Sequence, residues 1–459
     1  MVATQRTRTK ERLQAANPLS LERDVRQLLA DKISGNQAGI WLLIPEHLRL
    51  GTWDLLRGWC GEPTERVEPR LALHLVNEAA MCQCSFRHRR SLSQKGFELA
   101  NGLPFVPTDG AIHELLESHT VAESRDLQIA LGKLRRAGRH FRGRLLALDP
   151  HRMRSFSQRQ MRRHRFNSEE KPAKMGQGFF LLDCDTDQPV CFSLASSAAG
   201  ATAATPDLLA MAAEILSARP GGQPKPLVLA DKEHYAEELF AAVREAGCFD
   251  LLCPQPLCPS SLKRWGAIPP AGFTEHWPGY ATATQPHHFK EAPGNLYHEL
   301  VQRGGLRAED LQFQGFLATG PREELQSLTK DYPQRWDIEE FFKCNQALGW
   351  RRAGTLNLHI RYAQMTMALI AQAAIHQLRL RLGEPAASWD AEHFARNLFG
   401  GLEGDIRVSR DTVLVTYYNA PNAELLRTHY EDLPEKLRQQ GIEPRIPWLY
   451  DYLLDFRFK

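Results

Sequence analysis

The chain has 459 residues, enough for roughly two to four domains, and its apolar (43%) and charged (24%) fractions are those of an ordinary globular protein. Its 57 Lys and Arg against 54 Asp and Glu leave a formal charge of +3, so overall charge does not announce a nucleic-acid partner, and any such reading rests on where the cations lie. Nine scattered cysteines argue against a disulfide framework, the N-terminus MVATQRTRTKERLQ lacks the apolar core of a secretory signal, and the most apolar stretch, Met365–Ile375, is broken by Gln372 and falls short of the roughly 18 residues of a membrane span. These features predict a cytoplasmic protein without a membrane partner.

The first 140 residues read as helices joined by polar loops. Leu21, Val25, Leu28 and Leu29 recur at helical spacing over 19–33, with Ser20 as N-cap. Residues 70–81 and 112–119 carry similar patterns. Leu127, Ala130, Leu131 and Leu134 mark one face of a helix over 124–137, capped by Ser124. From 144 the texture changes. RLLALD (144–149) is an apolar run too short for a typical helix and reads as a buried strand. GFFLL (178–182) and PVCFSL (189–194) flank the turn-rich DCDTDQ and read as a hairpin. A helix over 208–217, a strand PLVLAD (226–231), a helix over 235–246 and a strand FDLLC (249–253) follow. The order strand, hairpin, helix, strand, helix, strand predicts a mixed α/β core with at least two parallel neighbours. Residues 254–293, rich in Pro, Gly, Ser and Thr, read as an irregular or β-rich insertion, and LQFQGFLAT (311–319) as a further strand. Long helices over 332–348 and 356–382 and a hairpin about Ser409-Arg410-Asp411 complete the chain.

Two of the predicted strands end in an acid, Asp149 in ALDPHR and Asp231 in LADKEH. Singly, such a residue more often caps a following helix. On neighbouring parallel strands, the two would meet at the sheet edge where α/β folds bind ligands. A third carboxylate from a packed helix would complete an oxygen cage for Mg²⁺, and two such ions can serve phosphoryl transfer. The segment DYPQRWDIEEFFKCNQALGW (331–350) supplies a candidate: Asp331 reads as the cap, and Pro333 falls in the first turn. Tyr332, Arg335, Glu339 and Lys343, spaced 3, 4 and 4 apart, share one helical face, while Ile338, Phe341 and Phe342 face the sheet. Glu340 lies about 100° round the helix from Glu339. Asp337 and Glu233 read as solvated.

These residues carry a resemblance to insertion-sequence DDE transposases of the hairpin-forming type, insertion-sequence family four. That family's signature is Tyr, two residues, Arg, three residues, Glu, six residues, Lys. Tyr332, Arg335 and Glu339 match it, and RWDIEEFFK is similar to the family's wording, but Gln346 stands where the lysine belongs, with Lys343 one turn earlier. The spacings 231 − 149 = 82 and 339 − 231 = 108 leave room for the insertion that interrupts the family's core. The resemblance spans roughly residues 140–385. It implies a ribonuclease-H-like α/β core with Asp149, Asp231 and Glu339 as catalytic ligands of two Mg²⁺ ions, for which Mn²⁺ can substitute. It further implies cleavage at transposon ends, strand transfer into a target, double-stranded DNA as partner through terminal inverted repeats, a homodimer on that DNA, and association with the bacterial nucleoid. The domains expected are a helical N-terminal DNA-binding region (1–140), a core in two parts (141–258 and 331–385), a β-rich insertion (259–330) and a C-terminal region of helices and a hairpin (386–459). Two alternatives stand beside this: a domesticated DNA-binding protein that does not cut, and a metal-dependent nuclease that does not join.

Twelve Lys and Arg against one acid, Asp149, lie between Gly132 and Phe166, interleaved with His and Phe. This reads as a phosphate-binding surface, with Arg152, Arg154, Arg159, Arg162 and Arg163, which follow the acid, as its DNA contacts. Tyr332, Arg335 and Lys343 are expected to hold the scissile strand. Trp336 can stack on a displaced base, although an anchor in the core is the commoner role of such a residue. Arg6, Arg8, Lys10 and Arg12 form either a DNA-binding arm or a tail. Cys82, Cys84 and His88 lack the spacing of a zinc finger, and they and Cys248, Cys253 and Cys258 are expected to be buried thiols. His287, His288 and His298 have no evident partner. SSAAGATAAT holds one glycine, and no P-loop or Rossmann fingerprint supports a nucleotide cofactor.

Overall fold

Three short runs with almost no polar side chain, 145–148, 227–230 and 251–253, are buried along their whole length. Strands covered on both faces read this way, and here they form the centre of a sheet. The computed structural model describes residues 18–35, 37–61, 67–82, 95–155, 163–165, 171–195, 200–350 and 357–459. It divides into two compact units, 135–343, and 1–134 together with 344–459.

In the first of these units the strands are β1 (Leu145–Arg154), β2 (Ala173–Asp183), β3 (Gln188–Ala195), β4 (Leu227–Ala230), β5 (Asp250–Pro254), β6 (Thr274–Trp277), β7 (Tyr280–Phe289), β8 (Ala292–Gly304) and β9 (Gln312–Ala318). The helices used below are α1 (Ala201–Leu216), α2 (Glu237–Ala246), α3 (Pro259–Gly266) and α4 (Asp337–Asn345). The sheet order is β3-β2-β1-β4-β5-β9-β8-β7-β6, with Arg163–His164 bridged to the start of β2. β1, β4 and β5 are parallel neighbours, and β2 and β3 form the expected hairpin across the turn at 184–187. The mixed α/β pattern holds in the expected strand and helix order.

Two expectations change. β1 does not stop at Asp149 but runs through Pro150 to Arg154, paired there with β2. β4 ends at Ala230, so beyond Leu148 that side of β1 has no ladder partner among the described residues, and a proline without an N–H is tolerated there. The stretch read as an insertion extends the central sheet: β9 lies antiparallel to β5, with Leu317 opposite Cys253. α3 closes over this extension. Its Trp265 is fully buried against Gly315, where a Cβ would stand 2.2 Å from the indole ring. Buried Glu299 accepts hydrogen bonds from Trp265 Nε1 (2.9 Å) and Gln255 Nε2 (2.7 Å) and pairs with Arg264, which compensates its charge. His287 also has a partner, the Tyr235 hydroxyl at 3.1 Å. The small-residue tract forms the start of α1 from Ala201 onward; residues 196–199 lie outside the described chain.

The second unit holds the helices expected early in the chain, at Pro18–Ala30, Glu68–Ala80, Asp109–Ser118 and Val121–Ala137. The caps differ from expectation. Ser20 lies inside its helix, and Ser124 is buried within the last one. The cap there is Thr120: its Oγ1 accepts from Glu123 N (3.2 Å) while Glu123 Oε2 accepts from Thr120 N (2.6 Å), a reciprocal capping box. The hairpin Gly404–Ser409 with Thr412–Tyr417 forms as expected, but it is the middle of a four-stranded sheet completed by Ile33–Gly35 and Leu453–Phe458. Segments expected in separate N- and C-terminal regions therefore share one sheet. The helix Leu358–Leu382 is buried over most of its length, and no helix among the described residues is long and apolar enough to cross a membrane.

Within this unit His74 is buried between Glu98 (Nδ1 to Oε2, 3.2 Å) and Glu78 (Nε2 to Oε2, 3.6 Å). Burial opposes protonation of the imidazole, but the two carboxylates outweigh it and raise its pKa to about 9. A folded-state pKa above the unfolded value near 6.5 contributes stability that is complete below pH 6.5 and is lost as pH rises through 9. Denaturant unfolding is expected to show a loss on the order of 3 kcal/mol across that window, absent in His74→Gln.

Candidate active site

The register between β1 and β4 places Leu148 opposite Ala230. Asp149 and Asp231 are the next residue on each strand, so two carboxylates emerge side by side at the C-terminal end of a parallel pair. Asp149 is largely buried and Asp231 partly so.

Arg335 answers this charge. Its Nη1 donates to Asp149 Oδ1 at 3.2 Å, and its Nη2 lies 3.7 Å from Glu339 Oε1, one turn along. Asp149, Arg335 and Glu339 are thus in direct sequence of contact, with Asp231 beside them. The compensation is incomplete. Burial pushes the Asp149 carboxyl up to about 7; Arg335 opposes the shift, and Asp231, Glu339 and Glu233 add to it. Asp231 goes the other way. Burial would raise it, but His234 and the Glu233 amide outweigh burial and hold it below the ordinary carboxylate value, with help from Arg335.

His234 was not singled out in the sequence, although a histidine three residues after a strand-end Asp was visible there. It is fully buried, its Nδ1 lies 2.7 Å from Asp231 Oδ1, and its Nε2 has no hydrogen-bond partner among the described residues. The same Asp231 oxygen accepts from Glu233 N at 3.0 Å, so Asp231 also caps the short turn Lys232–His234. The Cys253 thiol donates to the Asp231 carbonyl at 2.9 Å from the adjacent strand. Cys253 is the buried thiol expected; Cys82, Cys248 and Cys258 are only partly covered, which corrects the reading for those three, and Cys84 and His88 lie outside the described residues.

The segment that carries Arg335 and Glu339 is not one uniform helix capped by Asp331. It runs as a π turn (Ser327–Asp331), a 3₁₀ turn (Tyr332–Trp336) and then α4. Asp331 ends the π turn and makes no cap bond; its carboxylate accepts from Gln326. Pro333 supplies no N–H for an α-helical ladder here, consistent with the irregular pitch. Tyr332 donates from its hydroxyl to the Ala230 carbonyl at 3.3 Å and packs edge-on against Phe316, so it braces the end of β4. Ile338, Phe341 and Phe342 are buried as expected, Phe342 stacking on His151 at 4.5 Å. Glu340 pairs with Lys343 within α4. Trp336 is 58% exposed, not a core anchor, and its ring lies 5.0 Å from the Arg335 guanidinium carbon. Asp337 is half-buried instead of solvated, while Glu233 is exposed and paired with Arg152.

The basic segment is heterogeneous. Arg135 is fully buried, donating to Pro189 O (2.7 Å) and Gln188 Oε1 (3.0 Å), so it belongs to the core and not to a surface. Arg144 pairs with Asp185, and Arg136 donates to the Ser217 hydroxyl. Arg163 is exposed. Arg154 lies in β1 with its side chain undescribed, and Arg159 and Arg162 fall outside the described residues, as does the stretch with Arg6, Arg8, Lys10 and Arg12.

Among the described residues no three His, Cys, Asp or Glu side chains converge as a metal-binding group. The donor chemistry nonetheless suits a hard divalent cation: three carboxylates of which one, Asp149, is raised in pKa chiefly by burial, with the neighbouring acids adding to it. The Arg335 guanidinium supplies the positive charge between Asp149 and Glu339 in this arrangement.

No family model matches this chain, and no curated protein matches it. Among solved structures, a piggyBac transposase synaptic complex with hairpin DNA is similar over 85% of this chain and 80% of its own, at 12% identity and a TM-score of 0.36. A likeness at that score carries no argument about fold or activity.

A carboxyl whose pKa is about 7 folded and near 3.8 unfolded takes up a proton on folding, so on its account stability falls as pH rises from 4 to 7. In chelator-treated protein at pH 8, Asp149→Asn is expected to raise stability by on the order of 2 kcal/mol, and Arg335→Met to lower it. At pH 4.5 the Asn variant should show little gain. Urea unfolding at the two pH values checks both signs.

Proposed function

We propose that this protein is a DDE-type DNA transposase with a ribonuclease-H-like core, cutting at transposon ends and joining the cut strand to a target. One observation carries the reading: Asp149 and Asp231 stand side by side on parallel neighbours β1 and β4, with Glu339 joined to Asp149 through Arg335. The Tyr332, Arg335, Glu339 spacing supports it independently.

Asp149, Asp231 and Glu339 would hold two divalent cations, Mg²⁺ or Mn²⁺, which when bound activate an attacking oxygen and stabilise a leaving one in phosphoryl transfer. The chain's own residues do the rest. His234 and the Glu233 amide orient the Asp231 carboxylate and keep it ionised. Arg335, which neutralises the acids without DNA, has a planar fork suited to a backbone phosphate. Tyr332 fixes the end of β4 instead of touching the strand, in this reading. Trp336 offers an exposed ring for a base displaced during a hairpin step. Arg152, Arg154, Arg159, Arg162, Arg163 and Lys343 are proposed phosphate contacts on double-stranded DNA, made by a homodimer that pairs two ends.

A second reading, a DNA binder that does not cut, is favoured by one feature: Arg335 already engages Asp149 and approaches Glu339, and no acid triplet converges among the described residues.

Duplexes from the boundaries of the encoding gene, end-labelled and incubated with Mg²⁺ or Mn²⁺, separate the readings. Nicked or hairpin product that needs metal and disappears in Asp149→Ala, Asp231→Ala and Glu339→Ala is the expected result. Binding without cleavage in the wild type would select the second reading, and cleavage that survives Glu339→Ala would exclude Glu339 as the third ligand. A joined product separates a transposase from a nuclease. Trp336→Ala should leave folding intact and reduce hairpin product about tenfold, the size of one lost base stack.

A further inference from the structure

At the sheet edge opposite Asp149 and Asp231, the unit 135–343 holds a pocket of about 350 Å³ that the proposed strand chemistry does not use. It lies where β1 and β4 begin, between the loop 141–143 and the connection 216–226 that follows α1. Five residues of strand separate Arg144 from Asp149, about 17 Å at the usual rise per residue. Phe141 and Leu216, both buried, back the pocket. Gly143 (φ 68°) lets the loop lie on Leu216, where a Cβ would come within 3.3 Å. The chain is described without a break through 135–155 and 200–250, which contain the whole lining. The stretches of this unit outside the described chain, 156–162, 166–170 and 196–199, adjoin the strand ends at Arg154, Ala173 and Ala195, which lie on the acids' side of the sheet.

The lining carries four cationic side chains, Arg136, Arg142, Arg219 and Lys225, and no carboxylate. None of the four has an ion-pair partner among the described residues. Arg136 donates to the Ser217 hydroxyl, which fixes its guanidinium at the pocket without neutralising it. Other arginines of this unit meet acids instead: Arg144 pairs with Asp185, Arg152 with Glu233, Arg264 with Glu299 and Arg322 with Asp250. The acid beside the loop is already occupied. Asp183 is fully buried and accepts from Arg142 N, Gly143 N and the Thr186 hydroxyl. The helix C-termini at Ala137 and Leu216 offset Arg136 and Arg219 in part, an effect confined to the last turn, and Arg142 and Lys225 lie outside both helices. Four like charges gathered round one concavity repel one another, and an anion seated among them removes that cost.

We infer that this pocket binds a phosphate group, supplied by the backbone of a DNA stretch other than the one at the acids. The planar forks of Arg136, Arg142 and Arg219 suit phosphate oxygens, and Lys225 adds a point charge. A separation of about 17 Å excludes one phosphodiester from serving both edges of the sheet. Contacts of this kind hold a duplex in place without reading its sequence. That the phosphate belongs to DNA rests on the proposed function; that the pocket takes phosphate rests on its own side chains.

Fluorescence anisotropy of a labelled duplex of arbitrary sequence tests this on the full-length protein, with EDTA present so that no strand is cut. Arg142→Gln with Arg219→Gln, both exposed and so safe for folding, should weaken binding about tenfold and lower the slope of log affinity against log salt by about 2, as two lost phosphate contacts require. Lys290→Gln with Arg307→Gln removes the same charge from exposed positions of this unit outside the pocket, and should change binding less than about twofold. A wild type that binds while the pocket pair behaves like this control pair would overturn the inference alone. A wild type that binds no duplex would overturn the proposed DNA partner with it. Calorimetry with inorganic phosphate separates the two sources of the group. Phosphate bound by the wild type and lost in the pocket pair, with duplex affinity unchanged, would overturn the DNA backbone in favour of a free anion.

Discussion

Leu148 opposite Ala230 is a matter of backbone register, yet the chemistry of the central unit follows from it. A parallel pair in this register must present residues 149 and 231 together, and both are aspartates. Two like charges at a partly buried edge repel one another and resist desolvation. The surrounding residues act as a response to that strain. Arg335 from the 3₁₀ turn meets Asp149, His234 and a backbone amide hold Asp231, and Arg152 pairs with Glu233 at the margin. The asymmetry between the two acids, one raised and one lowered, follows from these different neighbours and not from their shared position.

The helical pitch changes between Ser327 and Asn345, and Arg335 donates to Asp149 from the 3₁₀ turn. A regular helix from Tyr332 would put Tyr332, Arg335, Glu339 and Lys343 in one row. The 3₁₀ turn alters the row at Tyr332 and Arg335, while Glu339 and Lys343, both in α4, keep their spacing of four. Tyr332 braces the Ala230 carbonyl, Arg335 and Glu339 stay with the acids, and Lys343 pairs with Glu340. Gln346, where the resemblance calls for lysine, lies beyond α4 in the next turn.

Positive charge in a sequence does not tell where the charge is used. Arg135 and Arg163 belong to the same basic segment, but the first sits in the core under carbonyl acceptors and the second is exposed.

Local spacing was sufficient for what depends on local geometry. The apolar runs at 145–148, 227–230 and 251–253 announced buried strands, DCDTDQ announced the hairpin turn, and the spacing of four announced the approach of Arg335 to Glu339. Those features need only the periods of strand and helix and the desolvation of apolar side chains. Other features needed the folded chain. The pairing of β9 with β5, which turns an expected insertion into more of the same sheet, joins residues over sixty positions apart. The partnership of His234 with Asp231, the burial of Arg135, the exposure of Trp336 and the enclosure of His74 depend on which surfaces meet. Burial, ion pairing and the pKa of each acid are set by neighbours that distant segments supply, and a linear pattern does not name them.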